Sequence, residues 1–267
     1  MRISFIGAGN MAGAIIKSII NSGRVSACDI TVYDKNDEKV GTYAALGASC
    51  AKDLKSACDA SGVILLAVKP QDYEELLLDI KNCCADVASK TFISVAAAIS
   101  TGFISRCLGA ECPVVRVMPN TPLLLGVGAT AISRNEYVND KDYTKICGLF
   151  AASGTVTAMD ESLMNAVISV NSTSPVYLYL LAKAMIDNSV EQGIDRKMST
   201  ELVFQTLRGS VEMLTKSEHS PDELIKMVAS PKGTTEAALK SLNDNDFCRV
   251  VSDAMYACTK RADEIGK

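Results

Sequence analysis

The start of the chain carries a glycine-rich segment of the kind that binds phosphate groups. Residues 7–12 have the sequence G-A-G-N-M-A, which fits the pattern G-x-G-x-x-G/A, and they stand between a predicted strand and a predicted helix. In that setting Gly7 allows the tight turn, Gly9 lets a pyrophosphate approach the backbone, and Ala12 lets the helix pack closely on the sheet. Free amides at the helix N-terminus would bind the phosphates of a dinucleotide. The alternative is a glycine-rich turn that binds no ligand.

An acidic residue follows the second predicted strand, where ribose-binding carboxylates occur. Asp34 could accept hydrogen bonds from the ribose hydroxyls of NAD, although it stands farther along the chain than the usual ~20 residues after the glycines. Lys35 beside it could instead contact the 2′-phosphate of NADP. A solvated turn is the third interpretation of these residues. We therefore expect NADP or NAD as the cofactor, with Asp34 favouring tolerance of NAD only slightly.

For the other ionisable residues that could be catalytic, a structural or surface role is the favoured interpretation. Arg116 stands between valines in a predicted buried strand, so we expect an internal ion pair or hydrogen bonds to loop carbonyls. Lys69 ends a predicted strand, where a lysine more often serves solubility than catalysis. The only histidine, His219, precedes a predicted helix, and we expect it in an exposed loop. From its residue type alone, Glu218 beside it is interpreted as an acidic surface residue.

Alternating strand and helix signals predict that these residues are positioned by a parallel sheet with crossover helices. The predicted strands are residues 3–6, 30–33, 63–68, 91–96 and 114–118, and the early helices are residues 10–20 and 37–46. Two prolines at residues 118–122 predict that no helix begins between them. Strand character fades after that loop. From about residue 161, helical periods predict a long helix interrupted near Pro175, then helices capped by Asp195 and by a capping box at residues 220–223.

These signals predict an α/β protein with an N-terminal Rossmann-type doubly wound sheet and an all-helical C-terminal domain. We expect a dinucleotide-binding domain over residues 1–160 and a helical substrate and dimerisation domain over residues 161–267. A dinucleotide domain joined to a helical domain suggests an oxidoreductase whose substrate lies between the two, at the carboxyl ends of the strands.

The composition limits the classes of function. The chain has 267 residues, 48% of them hydrophobic and 22% charged, and a net charge of -4 without a basic run. We therefore expect a globular protein that does not bind nucleic acid. The first apolar stretch is broken by Gly7, Gly9 and Asn10, so we expect no signal peptide. No apolar run approaches about 18 residues, so we also expect no membrane span, and we expect a cytoplasmic location. The ten cysteines are scattered without a C-x-x-C, which predicts reduced thiols and no metal site.

Five short segments follow one another in a distinctive order. They are F-I-G-A-G-N-M-A at residues 5–12, A-V-K-P-Q at 67–71, S-V-A-A at 94–97, V-R-V-M-P-N-T-P at 115–122 and S-P-K-G-T-T at 230–235. In order and approximate spacing they resemble the pyrroline-5-carboxylate reductases, and the resemblance spans essentially the whole chain. The glycine-rich turn is shared by many families, but the second and fourth segments are far more specific.

The resemblance implies a Rossmann domain, and a helical domain that interleaves with its mate in a homodimer or larger homo-oligomer. It implies reduction of the cyclic imine 1-pyrroline-5-carboxylate to L-proline with NAD(P)H, the last step of proline biosynthesis. The cofactor residues it implies are Ile6, Gly7, Ala8, Gly9, Asn10 and Met11 at the phosphates, with Ala67, Val68, Lys69, Pro70, Val95, Ala96 and Ala97 along the ribose and nicotinamide. The substrate residues it implies are Ser230, Gly233, Thr234 and Thr235, with Glu218 holding the imine nitrogen or the loop.

The chemistry of the implied reaction can be examined on the late segment. Hydride transfer to an imine carbon requires a proton on the nitrogen, so the site needs a donor and no covalent catalyst. Thr235 is the donor we expect, because it opens a helical run whose exposed amides could bind the substrate carboxylate. Without the resemblance, the favoured interpretation is that Ser230 or Thr234 caps the helix and Thr235 is solvated.

Three departures from the family's usual segments leave the substrate open. Residues 171–177 have N-S-T-S-P-V-Y in place of S-G-S-G-P-A-Y, which would hinder close helix approach, and Ala98 replaces a glycine. Lys232 replaces the first glycine of S-P-G-G-T-T, so it lacks backbone freedom if that position requires a positive φ, and it adds a cation near the expected carboxylate site. The alternatives are a related imine or keto reductase and a catalytically weak cofactor-binding paralogue. Oligomer number, cofactor preference and regulation also stay open.

Overall fold

The computed structural model describes residues 1–266, and within them eight strands form one sheet. The strands are β1 (Ile3–Ile6), β2 (Ile30–Tyr33), β3 (Ser49–Cys50), β4 (Val63–Leu66), β5 (Thr91–Ser94), β6 (Val114–Met118), β7 (Gly128–Arg134) and β8 (Gly154–Ala158). Their order is β3-β2-β1-β4-β5-β6-β7-β8, and every neighbouring pair is parallel except β6 and β7. The order reverses between β1 and β4, which is the switch point where ligands bind in such sheets.

Helices connect the strands and continue beyond the sheet. They are α1 (Asn10–Asn21), α2 (Asp37–Ala44), α3 (Leu54–Ala60), α4 (Tyr73–Cys83), α5 (Thr101–Leu108), α6 (Asp140–Ala151), α7 (Ser174–Glu191), α8 (Arg196–Lys216), α9 (Pro221–Val228), α10 (Thr234–Asp244) and α11 (Phe247–Ile265). Short 3-10 helices span Ala27–Asp29, Pro70–Asp72, Thr121–Leu125 and Glu161–Leu163, and a π-helical turn spans Ile168–Ser172.

The central strands are apolar on both sides because both faces of the sheet are covered. Phe5 of β1 belongs to one buried cluster with Ile15 of α1. Ile64 of β4 belongs to a second cluster with Leu77 of α4. Alternate residues of the strands therefore supply two separate cores, and the predicted fold class, a Rossmann-type sheet followed by a helical region, is confirmed.

The middle of the chain differs from the sequence prediction. Strands β1, β2 and β6 form at the predicted residues, but the expectation that strand character ends there is wrong, since β7, α6 and β8 follow. Glycine, alanine, threonine and serine dominate β7 and β8, so those strands lack a hydrophobic pattern. The expectation of no helix start between the prolines is also wrong. The 3-10 helix begins at Thr121, because Pro122 lies in the first turn, where a missing N–H costs nothing.

The chain divides into two compact units. The first comprises residues 1–173 together with the chain from residue 258 onward, and the second comprises residues 174–257. The expected boundary at residues 160/161 separates a cofactor-binding domain from a substrate-binding and dimerisation domain. A division by compactness does not test these roles, so the boundary stays a prediction. None of the helices in the described residues is long and apolar enough to span a membrane.

The second unit is helical, and local sequence signals account for where its helices begin. The π-helical turn precedes α7, and Pro175 occupies the second position of that helix, so the predicted interruption lies just before the proline. Asp195 caps α8 by accepting hydrogen bonds from the amides of Lys197 at 2.9 Å and Met198 at 3.1 Å. The predicted capping box between Ser220 and Glu223 begins α9.

Candidate functional site

The glycine-rich segment forms a tight turn between β1 and α1. Gly7 has a φ of +100°, and a Cβ atom there would lie 2.7 Å from the carbonyl oxygen of Ala67, so only glycine fits. Its amide donates to the carbonyl of Tyr33 at 2.8 Å. Gly9 is the N-cap residue of α1 and provides no side chain to the first-turn amides. Among residues 1–266, no heavy atom lies within 4 Å of a Cβ built on Gly9, so the turn is open on that side.

Asp34 supports this turn from the end of β2. Its Oδ2 atom accepts a hydrogen bond from the amide of Ala8 at 2.7 Å, and its Oδ1 atom accepts one from the amide of Asn36 at 2.9 Å. Each carboxylate oxygen keeps a further lone pair for a ribose hydroxyl. The structure therefore brings Asp34 to the glycine-rich turn, as the sequence predicted, and gives it a structural role there as well.

Tyr43 of α2 is a buried contributor to the turn that the sequence analysis missed. Its hydroxyl donates to the carbonyl of Ala8 at 3.2 Å. A Cβ on Gly13 would lie 2.8 Å from that hydroxyl, so a glycine at this position of α1 makes room for it. Burial, and to a smaller degree the nearby Asp34 carboxylate, raise the pKa of Tyr43, which keeps it a neutral donor. Only the packing of α2 on β2 and β3 brings it there.

A cleft of about 520 Å³ opens beside the turn and collects most of the residues predicted to bind cofactor in this region. Those that line it are Ile6, Gly7, Gly9, Asp34, Lys35, Ala67, Val68 and Lys69. Lys39 and Glu75 line it too, and the sequence analysis named neither. Lys35 donates to Glu75 at 2.9 Å, and this hydrogen bond raises the pKa of the lysine and lowers that of the glutamate. Both side chains are exposed, so a ligand phosphate could compete for Lys35 at little cost.

The carboxyl ends of β4 and β5 lie at the same edge of the sheet as the turn. The amide of Ala67 donates to the carbonyl of Ile6 at 2.8 Å, and Lys69 is the N-cap residue of the 3-10 helix that begins with Pro70. Tyr73, which the sequence analysis missed, joins the two strand ends. Its fully buried hydroxyl contacts the carbonyl of Leu66 and the hydroxyl of Ser94, both at 2.9 Å. Segment 95–97 follows directly from β5.

Arg116 of β6 is buried and paired, as expected. Its guanidinium lies 3.8 Å from the carboxylate of Glu161, which confirms the predicted ion pair. The nearest hydrogen bond goes to the side-chain oxygen of Asn165 at 2.6 Å, so the predicted loop carbonyls are replaced by an amide side chain. Burial lowers the pKa of Arg116, and the Glu161 carboxylate opposes that change.

The unusual segment 171–177 binds the loop after β6. Asn171, buried in the π-helical turn, donates to the carbonyls of Met118 at 2.7 Å and Ala129 at 2.9 Å. The hydroxyl of Ser172 donates to the carbonyl of Pro119 at 2.8 Å. Asn171 and Ser172, two of the bulkier residues of this segment, are thus accommodated as hydrogen-bond donors within the first unit.

The residues predicted to bind substrate lie in the second unit, around the start of α10. Gly233 is the N-cap residue and, within the described chain, no side chain caps the helix, so the interpretation of Ser230 or Thr234 as the cap is wrong. Thr235 is half-buried, and its hydroxyl takes part in no hydrogen bond in the described residues. The amides of the first turn are therefore available to an anion.

Lys232, just before α10, and Glu218, just after α8, have left-handed backbone conformations. Lys232 has a φ of +60°, so the position that the sequence analysis suspected of requiring positive φ does adopt it. The amide of Lys232 donates to the side chain of Glu236 at 2.5 Å. Glu218 has a φ of +59° and is exposed just after α8, and His219 beside it is exposed as expected. In residues 1–266, no hydrogen bond or ion pair joins Glu218 to residues 230–235.

Comparison with known proteins extends these observations to the whole chain. Residues 161–265 match the family model described as pyrroline-5-carboxylate reductase dimerisation, and residues 2–98 match one described as NADP oxidoreductase, coenzyme F420-dependent. Pyrroline-5-carboxylate reductase of Haemophilus influenzae is 35% identical over 265 residues, covering 98% of this chain and 97% of that protein. The enzyme of the same name from Escherichia coli K12 is 30% identical over 267 residues, covering 100% of this chain and 98% of that protein.

Among solved structures, pyrroline carboxylate reductase of Plasmodium falciparum with NADP bound superimposes with a TM-score of 0.90 at 29% identity. The superposition covers 100% of this chain and 98% of that chain.

Proposed function

This chain belongs to the pyrroline-5-carboxylate reductase family, and we propose on that basis that it reduces 1-pyrroline-5-carboxylate to L-proline with NADPH or NADH. The observation that carries the proposal is identity of 30% to 35% with the relatives over nearly their full length. The resulting role is in proline biosynthesis. The local geometry supports it, because the chain has an open dinucleotide turn in one unit and an uncapped helix N-terminus in the other.

The residues of the first unit fit a nicotinamide dinucleotide. Gly9 leaves room for a pyrophosphate, and the first-turn amides of α1, including those of Asn10 and Met11, point to where its oxygens would lie. Asp34 and Lys35 would face the adenosine ribose. Residues 67–70 and 95–97, which end or follow neighbouring strands, would lie along the nicotinamide half. When bound, the reduced cofactor supplies the hydride that the protein itself cannot provide.

The residues of the second unit fit a small anionic imine. The amides at the start of α10 would bind the substrate carboxylate, with Ser230, Gly233 and Thr234 forming the loop around it. The Thr235 hydroxyl would donate a hydrogen bond to the ring nitrogen and transfer its proton to this atom as the carbon takes the hydride, and solvent would return a proton to the threonine oxygen. Glu218 would hold the imine nitrogen or the loop. No covalent intermediate is needed, since hydride and proton complete the reduction of the C=N bond.

The cofactor site supports both NADP and NAD. Lys35 and Lys39 place two cations at the cleft, which favours the 2′-phosphate of NADP. Asp34 keeps lone pairs that suit the free hydroxyls of NAD. Titration of the purified protein with NADPH and NADH, followed by fluorescence of the reduced cofactor, decides between them.

We propose that the protein works as a homodimer or a larger homo-oligomer in the cytoplasm, without nucleic acid or membrane as a partner. The match of residues 161–265 to a dimerisation model supports the assembly. So does the exposure of large apolar side chains along α7 and α8, which one copy of the chain leaves uncovered.

Oxidation of NADPH or NADH in the presence of 1-pyrroline-5-carboxylate tests the proposed activity directly. We expect cofactor oxidation that depends on the imine and yields proline. Thr235→Ala should lower kcat at least about tenfold, the size expected for a positioned donor, and leave cofactor affinity intact, while Thr235→Ser retains the hydroxyl as the matched control.

Two outcomes contradict the proposal. Turnover of another imine or a keto acid, but not of pyrroline-5-carboxylate, indicates a related reductase with a changed pocket around Lys232. Cofactor binding without turnover indicates a catalytically weak paralogue. Unchanged turnover in Thr235→Ala removes the donor role from that residue.

A further inference from the structure

A strained residue directly follows the segment proposed to lie along the nicotinamide. Ala98 has a φ of +69° and is only 2% exposed. A left-handed conformation is unfavourable for a residue with a Cβ, so it persists where the surroundings determine the backbone. Segment 95–98 is therefore held in one conformation by its neighbours.

One neighbour is the end of the C-terminal helix α11. A Cβ on Gly266 would lie 2.6 Å from the carbonyl oxygen of Ala98, so the backbone of the helix end packs directly on this segment. Ala262, one turn earlier, is buried in the same apolar cluster as Ala98 and Met118. All of these residues belong to the first unit, so the contact is internal to that unit.

A second neighbour holds the segment from its far end, where α5 begins. Both carboxylate oxygens of Glu161 bind Thr101, the first residue of α5. Oε1 accepts from the amide at 2.7 Å, and Oε2 accepts from the hydroxyl at 2.5 Å. Ser100 caps the same helix by accepting a hydrogen bond from the amide of Phe103 at 3.1 Å. A carboxylate at a helix N-terminus is also favoured by the helix dipole.

Buried Arg116 keeps the Glu161 carboxylate in place. The guanidinium lies 3.8 Å from the Glu161 carboxylate and donates to the side-chain oxygen of Asn165, whose amide group in turn donates to Asp263 of α11 at 2.8 Å. Thr101 at the start of α5 and Asp263 near the end of α11 are thus connected through hydrogen bonds and one ion pair, the pair formed by Glu161 and Arg116 of β6. This polar network and the Gly266 contact hold the same short segment from two sides.

We propose that Glu161 and Thr101 are positioning residues for the nicotinamide half of the cofactor. They fix the start of α5 and thereby the conformation of segment 95–98, so that its backbone stays at the edge of the sheet where the nicotinamide binds. This inference rests on the proposed function, because that function supplies the nicotinamide. Neither residue contacts the cofactor itself, and the effect is transmitted through the peptide between Ala98 and Thr101.

Binding of two matched ligands separates positioning from a purely structural role. The ligands are NADPH and 2′-phospho-ADP-ribose, which lacks the nicotinamide, or NADH and ADP-ribose if the wild-type protein binds that pair more tightly. Thr101→Val removes the hydroxyl that donates to Glu161 but preserves the Arg116 ion pair, and Thr101→Ser retains the hydroxyl as the control. Glu161→Gln weakens both hydrogen bonds and is interpreted only if its melting curve shows a folded protein.

Thr101→Val should raise the dissociation constant of the reduced cofactor about three- to tenfold, which corresponds to the net contribution of a typical intramolecular hydrogen bond. The dissociation constant of the fragment should change by less than about twofold, and Thr101→Ser should behave as wild type. Equal weakening of both ligands, or of neither, would overturn the positioning role. If the wild type binds NADPH yet does not reduce pyrroline-5-carboxylate, the proposed function fails while the binding comparison still decides this inference.

Discussion

The two compact units treat their large apolar side chains in opposite ways. In the sheet unit Phe5, Tyr73 and Phe92 are fully buried, and both faces of the central strands are covered by helices of the same chain. In the helical unit Tyr179 and Phe204 are more than half exposed, and the buried positions of α7 and α8 are few. The sheet unit therefore completes its own core, whereas the helical unit presents apolar surface that one copy of the chain does not cover.

This difference indicates which unit supplies cofactor binding and which supplies self-association. A completed core can hold the turn at Gly7–Gly9 in one conformation, because the neighbouring strand ends at Tyr33 and Ala67 contact its backbone. An uncovered helical surface instead suits association, since burying apolar area on a second copy recovers the hydrophobic free energy that folding left unused. We expect cofactor binding to depend on the sheet unit and assembly to depend on the helical unit.

The largest expected effect comes from placing a charge on the helical surface. Leu180 of α7 is 61% exposed, and Leu78 of α4 in the sheet unit is 44% exposed. Leu180→Glu should weaken self-association at least about a hundredfold, because burying an unpaired carboxylate costs several kcal/mol in each copy. Leu78→Glu is the matched control and should leave association unchanged. Light scattering during size-exclusion chromatography measures the oligomer mass of both variants. Equal masses would contradict the assignment of self-association to the helical unit.

A smaller effect is expected at the glycine-rich turn. Gly9→Ala fits the free protein, since a Cβ there meets no atom within 4 Å among residues 1–266, but it would occupy the space proposed for the pyrophosphate. The melting temperature should be unchanged while the dissociation constant of NADPH rises at least about tenfold. Gly62→Ala is the control, because a Cβ on Gly62 is equally unobstructed in the described residues and precedes β4 at the opposite edge of the sheet. If calorimetric titration finds normal NADPH affinity in Gly9→Ala, the pyrophosphate does not bind beside Gly9.

The smallest effect concerns backbone strain in the helical unit. Lys232 is exposed with a φ of +60°, so Lys232→Gly relieves strain and loses little packing. The melting temperature should rise by no more than about 2 °C, since the entropy that glycine adds to the unfolded chain offsets part of the gain. Lys240→Gly, inside α10, should lower it instead, by the usual cost of about 1 kcal/mol for glycine in a helix. A fall in melting temperature for Lys232→Gly would show that the lysine itself stabilises this loop.

Much of the fold could be predicted because its signals are local. The apolar run of β4, the helical spacing of Ile15 and Ile19 in α1 and the capping box before α9 each specify an element without reference to distant residues. Strands β7 and β8 could not be predicted, since they consist of small and hydroxylated residues that pair only because β6 offers a free edge. The helix at Thr121 was missed because proline is excluded from helix interiors and not from first turns.

In the candidate site, too, local features could be predicted and contacts between distant residues could not. Gly7 and Gly9 were predicted because a dinucleotide turn needs glycines at that spacing, and Asp34 because it follows β2, although it stands farther along the chain than usual. The structure brings all three to one turn, and their binding of a cofactor stays a prediction. Tyr43, Tyr73 and the Glu161–Thr101 contact were missed, since each joins elements that are distant along the chain. Whether residues 230–235 act as proposed stays a prediction that Thr235→Ala tests.

Propensity, periodicity and turn chemistry act over a few neighbouring residues, so the amino-acid sequence specifies where most helices and the central strands form and which segments resemble a reductase. Packing of the folded chain settles which backbone atoms each carboxylate binds, which residues take left-handed conformations and which apolar faces stay uncovered. Those outcomes depend on contacts between residues far apart in the chain, and their energies exist only once the sheet and helices have packed.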